Sequence, residues 1–427
     1  MRFLCHSVLR WLTVLVIVSL PAVAVADKVE AKKEYKSNYE AGPGFAGPGS
    51  TVRQLVEDDE EKTPVMRFPT FDEALQPWFD AKKRLNEDSG VQLGLAYTVT
   101  TQKASDSLTD EDVGSTGIFR VSGRWEGVNR GEKNRGALVF SLDNRSKFGD
   151  VAAADLANEI GYIGPTAVLF SDADTVLVDF NWQQFINDGD SGFLVGRYDP
   201  SDYLNVLGYA NPWTTFQNVN VLLDSSVAYP DLGFGAGFGH WFNSSWYGVA
   251  GLNDANGKID ETAVFDNGSE FFKFAEIGWT PDRDQRYLTN INLTFWDVDE
   301  RDDDGIDASH GFLLSANYTR DDTWMLFGRL GWSDVDAPND PQIYERSVTL
   351  GGIYYVAARS DLAGFAVNYG ELAAPDLDTQ TTAELFYRLQ LARNLALTPS
   401  VQWLYDPALN DETDRITVFG LRLRATL

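Results

Sequence analysis

Residues 381–392 read Thr381-Thr382-Ala383-Glu384-Leu385-Phe386-Tyr387-Arg388-Leu389-Gln390-Leu391-Ala392. Extended backbone sends alternate side chains to opposite faces, so Ala383, Leu385, Tyr387, Leu389 and Leu391 share one face. Glu384, Phe386, Arg388 and Gln390 share the other. In a soluble sheet the apolar face would need a second sheet or a helix layer, and the sequence provides neither. The segment has the length of a tilted membrane strand, about ten residues. The first face then meets lipid and the second a lumen.

The same period of two runs from Val91 to the end. Strands are predicted at 91–101, 115–126, 136–144, 175–186, 192–198, 229–241, 244–253, 270–280, 287–297, 308–319, 323–333, 346–357, 361–370, 381–392, 395–405 and 415–427. After the first pair their connections alternate in length. Asn187–Ser191, Phe242-Asn243, Pro281–Arg286, Arg320–Asp322 and Arg393-Asn394 are tight. Between them lie long ones at 145–174, 199–228, 254–269, 298–307, 334–345, 371–380 and 406–414. Short turns at one end, long loops at the other and an even strand number are the pattern of an outer-membrane barrel. The expected fold is all-β, a sixteen-stranded antiparallel transmembrane β-barrel with a short N-terminal periplasmic helix.

The alternation also assigns the inner wall. Phe119, Val121 and Trp125 fall outside, with Arg120, Ser122 and Arg124 inside. Ile291, Leu293 and Phe295 oppose Asn290, Asn292, Thr294 and Trp296, and Phe419, Leu421, Leu423, Ala425 and Leu427 oppose Arg422 and Arg424. The candidate pore lining is Arg120, Arg124, Asp179, Arg197, Glu276, Trp296, Arg329, Glu384, Arg388, Arg422 and Arg424. A closure of this strand number leaves an aqueous channel, so these groups are expected to stay hydrated and the channel to stand open. Arg120, Arg124, Arg388, Arg422 and Arg424 should make the wall locally positive. Segment 199–228 is too apolar to stay solvated above a membrane and is expected to fold inward, adding Tyr209, Trp213 and Phe216 to the lining, with Asp199 and Asp202 able to pair with the bases. The rival reading lays it on a neighbouring subunit of a homotrimer.

Ahead of the strands, Arg2 and Arg10, the apolar run Trp11–Leu20 and Ala24-Val25-Ala26 form a secretory signal over residues 1–26. The charged, glycine- and proline-rich stretch 27–70 reads as a disordered periplasmic linker. Thr70–Glu73 has the form of a capping box, and Phe71, Leu75, Trp78 and Phe79 recur at helical spacing, which predicts an amphipathic helix within 71–90 docked on the periplasmic rim. The single cysteine, Cys5, leaves with the signal, which excludes thiol chemistry, and a formal net charge of −28 disfavours nucleic acid.

Several of these segments resemble the carbohydrate-selective porin family, OprB. The stretches are Gly192-Phe193-Leu194-Val195-Gly196-Arg197-Tyr198, Ala275-Glu276-Ile277-Gly278-Trp279-Thr280-Pro281, Glu384-Leu385-Phe386-Tyr387-Arg388, Leu397-Thr398-Pro399-Ser400-Val401-Gln402-Trp403, Pro407 and Gly420-Leu421-Arg422-Leu423-Arg424. The resemblance spans most of 71–427 and implies a sixteen-stranded barrel in the outer membrane that admits sugars past an inward-folded loop. A general or ion-preferring porin and an adhesin or receptor barrel are the alternatives. Terminal Leu427, where such barrels usually end in Phe or Trp, and the long 27–70 stretch are departures. The partners implied are outer-membrane lipid and lipopolysaccharide, the barrel-assembly machinery and small sugars.

Enzymatic readings find little material. Beyond the signal the histidines are His240 and His310, no G-x-S-x-G elbow occurs, and a Ser309-His310 pair at a rim reads as solvated. Gly233, Gly235, Gly237 and Gly239 alternate within one strand, which marks close backbone approach rather than a nucleotide loop. Glu300, Asp302, Asp304 and Gly305 imitate part of a calcium loop, but Gly311 stands where the closing glutamate belongs, so no metal and no cofactor are expected.

Overall fold

The computed structural model describes residues 44–262, 269–301, 305–321, 323–334, 344–356, 360–374 and 376–427. The strands are β1 (Val91–Ala104), β2 (Val113–Val128), β3 (Arg135–Lys147), β4 (Asp174–Ile186), β5 (Ser191–Tyr198), β6 (Gly233–Trp241), β7 (Trp246–Asp254), β8 (Phe271–Trp279), β9 (Thr289–Val298), β10 (Ser309–Arg320), β11 (Trp324–Asp334), β12 (Tyr344–Val356), β13 (Asp361–Leu372), β14 (Thr379–Ala392), β15 (Leu395–Tyr405) and β16 (Arg415–Thr426). Every neighbour in sequence is an antiparallel neighbour in space, and β1 pairs with β16 to close a sixteen-stranded barrel. Leu427 completes that seam, exchanging backbone hydrogen bonds with Leu95 at 2.8 and 3.0 Å. The alternation of connections starts at the first pair: 105–112, between β1 and β2, is at the long-loop end. At the short-turn end, Asn187 and Asp188 take positive φ (52° and 58°) to turn β4 into β5, a conformation Asn and Asp tolerate well.

Burial along the strands inverts that of a soluble sheet. Phe119, Trp125, Ile291, Phe295, Leu385, Phe419 and Leu421 are exposed, while Thr98, Thr100, Gln102, Arg120, Asn292, Glu384, Gln402 and Arg422 are buried. A continuous belt of exposed Leu, Ile and Phe is incompatible with water and fits hydrocarbon. No described helix is long and apolar enough to cross a membrane, so the crossing belongs to the strands.

Three stretches fill the lumen. The β5–β6 connection carries Tyr203, Leu204, Val206, Leu207, Tyr209, Trp213, Phe216, Val221 and Leu222 into it, all buried, so the segment packs inside the barrel and gives no support to a trimer lid. The β3–β4 connection goes in beside it, burying Leu156, Ile160, Tyr162, Ala167 and Phe170; Gln102 and Gln402 both donate to Thr166 O, at 2.9 and 2.8 Å. The third is the N-terminal stretch. The sequence predicts a disordered linker over 27–70, but 44–59 are ordered within the barrel, with helix α1 (Thr51–Asp59) burying Val52, Leu55 and Val56. The correction has a physical reason: the stretch has few apolar residues, yet its polar groups find partners on the inner wall. Residues 27–43 lie outside the described chain.

Helix α2 (Pro69–Ser89) extends further than expected and ends on Gly90 at φ 76°, whose N–H donates to Asn86 O. The predicted capping box does not form. Pro69, with no N–H to satisfy, takes the first helical position and Thr70 is already inside. The helix meets the short-turn rim at its middle and at its C-terminal end. Arg393 lies over Phe79 at 4.5 Å, and Trp125 Nε1 donates to Ser89 O at 3.2 Å. Its apolar face is only partly covered, since Phe71 stays exposed while Leu75, Trp78 and Phe79 are half-buried.

Candidate functional site: the filled lumen

Inner-wall side chains are held by hydrogen bonds to one another and to the inserted stretches. On β2, Arg120 donates through Nε and Nη2 to Asp143 at 2.6 and 2.8 Å, and Arg124 to Glu126 at 2.8 Å. On β4, Asp179 accepts from Thr51 Oγ1 at 2.7 Å. Arg197 at the end of β5 donates to Leu177 O at 2.6 Å and to Lys258 O, in the β7–β8 connection, at 2.7 Å. Across the barrel, Glu276 accepts from the Asn205 amide at 2.6 Å and from Thr294 Oγ1 at 2.8 Å. Arg329 donates to Leu222 O, Glu384 accepts from the amides of Gln217 (2.9 Å) and Asn218 (3.0 Å), and Arg422 donates to Pro212 O and Thr215 O, both at 2.7 Å. These last three bind backbone groups of the inserted loop at and around its short helical turn Val219–Leu222, whose ends leave amides and carbonyls to be met by the wall.

The rings of that loop are also engaged. Tyr209 stacks on Phe327 with centroids 3.6 Å apart, and Phe216 meets Phe386 edge-on at 4.9 Å. Trp213 has two guanidinium neighbours, Arg120 at 4.2 Å and Arg424 at 5.3 Å, so its face carries two cation–π contacts. Trp296 lies against Phe272 in an apolar cluster rather than on an open lumen.

The structure therefore brings all the expected lining residues to the inner side, but not into open water: every one is buried. Alternation fixes which way a side chain points, not what it meets, and here it meets protein. The expected positive wall is largely compensated for the same reason. Besides Asp143 and Glu126, Asp58 pairs with Arg424 at 2.8 Å and Glu57 approaches Arg388 at 3.7 Å. Neither acid of α1 was anticipated as a wall partner. Asp199 instead accepts from the Ser201 amide at 2.9 Å, the capping contact of a short turn.

Among the described residues, two cavities of the interior bear on the site. One, of about 530 Å³, opens at the short-turn end and is lined by Gly44, Phe45, Ala46, Gln183, Tyr203, Gly237, Gly239, Arg283, Arg286 and Tyr287. The other, of about 70 Å³, is lined by Gly47, Pro48, Gly49, Arg120, Asp199, Asp202 and Trp213. The glycines of β6 explain part of the first. Gly237 and Gly239 face inward, and a Cβ on Gly239 would lie 2.3 Å from the Phe45 ring. Outside this interior, Ser191 Oγ and His240 Nδ1 are 2.8 Å apart as direct cross-strand partners, and His310 is exposed at 3.8 Å from Asp334. Among the described residues no cluster of metal-binding side chains occurs; Asp302 and Asp304 of the acidic loop lie outside them.

Comparison with known proteins agrees with this architecture. Residues 283–427 match the family described as carbohydrate-selective porin, OprB family. The match confirms the resemblance drawn from Glu384–Arg388, Leu397–Trp403 and Gly420–Arg424, all of which lie inside it. The high-pH structure of Pseudomonas putida OprB superposes with a TM-score of 0.65 at 14% identity, covering 82% of this chain and 97% of that one. A mutant of the Rh. blastica porin superposes with a TM-score of 0.52 at 15% identity, over 79% of this chain and 100% of its own. No curated protein matches the sequence. The barrel therefore has the fold of a porin channel.

Proposed function

We propose that this porin passes small polar solutes, carbohydrates foremost, by passive diffusion along the lumen, with the β5–β6 loop forming the bore. The observation that supports this best is Trp213 between Arg120 and Arg424, beside a cavity that also holds Asp199 and Asp202. A ring face takes the C–H surface of a pyranose, and guanidinium and carboxylate groups take its hydroxyls, a combination that favours a neutral polyol over a bare ion. Arg120, Arg124, Asp179, Arg197, Tyr209, Trp213, Phe216, Glu276, Trp296, Arg329, Glu384, Arg388, Arg422 and Arg424 are proposed to shape that passage, several of them by holding the loop rather than by touching solute. A secretory signal removed after residue 26 and assembly by the outer-membrane insertion machinery belong to the same reading.

The test is conductance in a planar bilayer with neutral sugars added on either side. Sugar block of an ionic current is expected, and Trp213→Ala should weaken it. Channels that conduct but show no block by any sugar would leave a general or ion-preferring porin. The filled interior also favours a second reading, an adhesin or receptor barrel whose lumen stays shut. Permanent silence of the inserted protein and of every loop variant would establish that one.

A further inference from the structure

The two cavities share no lining residue, yet both are bounded by the same short run of chain. Gly44, Phe45 and Ala46 wall the larger one, and Gly47, Pro48 and Gly49 wall the smaller. The N-terminal stretch stands between them together with the start of the β5–β6 loop, where Tyr198 and Tyr203 wall the larger cavity and Asp199, Ser201 and Asp202 the smaller.

Its attachment is of a particular kind. Its apolar contacts seat two side chains against glycines of the wall, Phe45 over Gly239 and Leu55 against Gly94, where a Cβ would come within 2.8 Å of Leu55 Cδ2, and bury Ala46, Val52 and Val56 as well. Phe45 also stacks on Trp241 at 6.0 Å. The remaining grip is polar and reaches around the barrel. Arg286 donates to Phe45 O at 2.8 Å, Tyr287 to Ala46 O, and Thr51 to Asp179. Asn211 of the inserted loop donates to Glu57 at 3.1 Å, and α1 places Asp58 on Arg424 and Glu57 near Arg388. No strand pairing ties residues 44–59 to the barrel. A body held by side-chain contacts and bridges can leave without breaking the wall, since every ladder bond that closes the sheet remains.

We propose that residues 44–59 are a displaceable gate that sets both the bore and the ion preference of the channel. Seated, the gate divides the two cavities and neutralises Arg388 and Arg424. Withdrawn toward the short-turn mouth, it joins the cavities and leaves Arg388, Arg422 and Arg424 as an uncompensated cationic stripe. This rests on the channel reading above.

The test uses the full chain in planar bilayers, as wild type and as two variants confined to the gate. Glu57→Lys with Asp58→Lys sets like charges against Arg388 and Arg424, and Phe45→Gly with Leu55→Gly empties the two glycine seats. Both variants are expected to raise single-channel conductance several-fold over wild type and to move the reversal potential in a salt gradient toward the anion value. Variants that insert with the conductance and reversal potential of wild type overturn the gate and leave the porin reading standing. Loss of insertion in both variants also overturns it, because the stretch is then part of the fold. If neither wild type nor variants conduct at all, the porin reading itself fails and the gate with it.

Discussion

The outer and inner faces of one strand, one residue apart, obey different rules. Ile291 on β9 is exposed to lipid, while Asn292 next to it is buried, its Oδ1 accepting from Asn205 Nδ2 at 3.0 Å. The outer face answers to a solvent. Any apolar side chain of suitable size satisfies a bilayer, so the constraint is collective and repeats every second residue. The inner face answers to particular partners, groups of an inserted stretch for Asn292, Glu384 or Arg422 and neighbouring wall residues for Arg120 or Arg124.

The difference is broken most forcefully by exchanging the rules. Leu293→Arg, on the same outer face but at the middle of β9, should cost about 2 to 4 kcal/mol of folding into the bilayer, the amount a guanidinium costs on a lipid face near the midplane. Asn292→Ala should leave insertion untouched and cost roughly 1 kcal/mol, one net hydrogen bond, felt by the loop alone. Urea titration of folding into liposomes measures both. Equal losses at the two positions would show that the faces are not distinct.

This contrast also explains what was legible in the sequence. Strand number, order, closure and the facing of Arg120, Glu384 or Arg422 follow from a period of two and from loop lengths, both local properties. The inward course of 199–228 was legible from its excess of apolar residues. What was not legible lies where local signals are weak. Residues 44–59 are polar and rich in Gly and Pro, so nothing local distinguishes a stretch that binds a barrel wall from one that binds water. The inward β3–β4 loop went unrecognised for a similar reason: Ala152, Ala153, Ala157 and Ala167 bury well but mark no periodicity. The one available hint was the glycine face of β6, correctly read as close approach, but with no partner to name until Phe45 appeared against Gly239.

A second break acts on the inserted loop as a whole. Replacing residues 205–222 with a short Gly/Ser linker removes the partners of Glu276, Arg329, Glu384 and Arg422 together with Trp213. Conductance should rise and sugar block disappear, with the barrel still folded. Conductance unchanged by the exchange would mean that this loop does not limit the passage.

A finer break removes a single inner-wall anchor. Glu384→Ala takes the acceptor from two buried amides, those of Gln217 and Asn218, which have to be met by water or remain unsatisfied. Each such loss costs roughly 1 to 3 kcal/mol, carried by the loop rather than by the strands. The expected signature is increased current noise and faster hydrogen exchange at residues 217–218, with an unchanged urea midpoint for the barrel. Unaltered exchange there would remove Glu384 from the set of anchors.

The smallest effect expected is one of pH, and it belongs to the end of the gate. Glu60 follows α1, where burial first and the neighbouring Glu57 second push its carboxyl from 4.5 up to about 7; Asp58 adds to the rise, and Lys62 and Arg53 oppose it. A carboxyl whose value is raised by seating holds its proton more tightly seated than free, so seating takes up protons. The seated state therefore keeps its full advantage below pH 4.5, loses it progressively as pH climbs, and has lost it above about 7. Charging Glu60 beside Glu57 and Asp58 then favours withdrawal, and openings should be more frequent at about pH 8 than at about pH 5. Glu60→Gln, which cannot charge, should flatten that dependence while leaving the conductance of each opening as it was. A Gln variant with the wild-type pH profile would place the titration elsewhere, and Glu60 would then be a bystander at the mouth of the barrel.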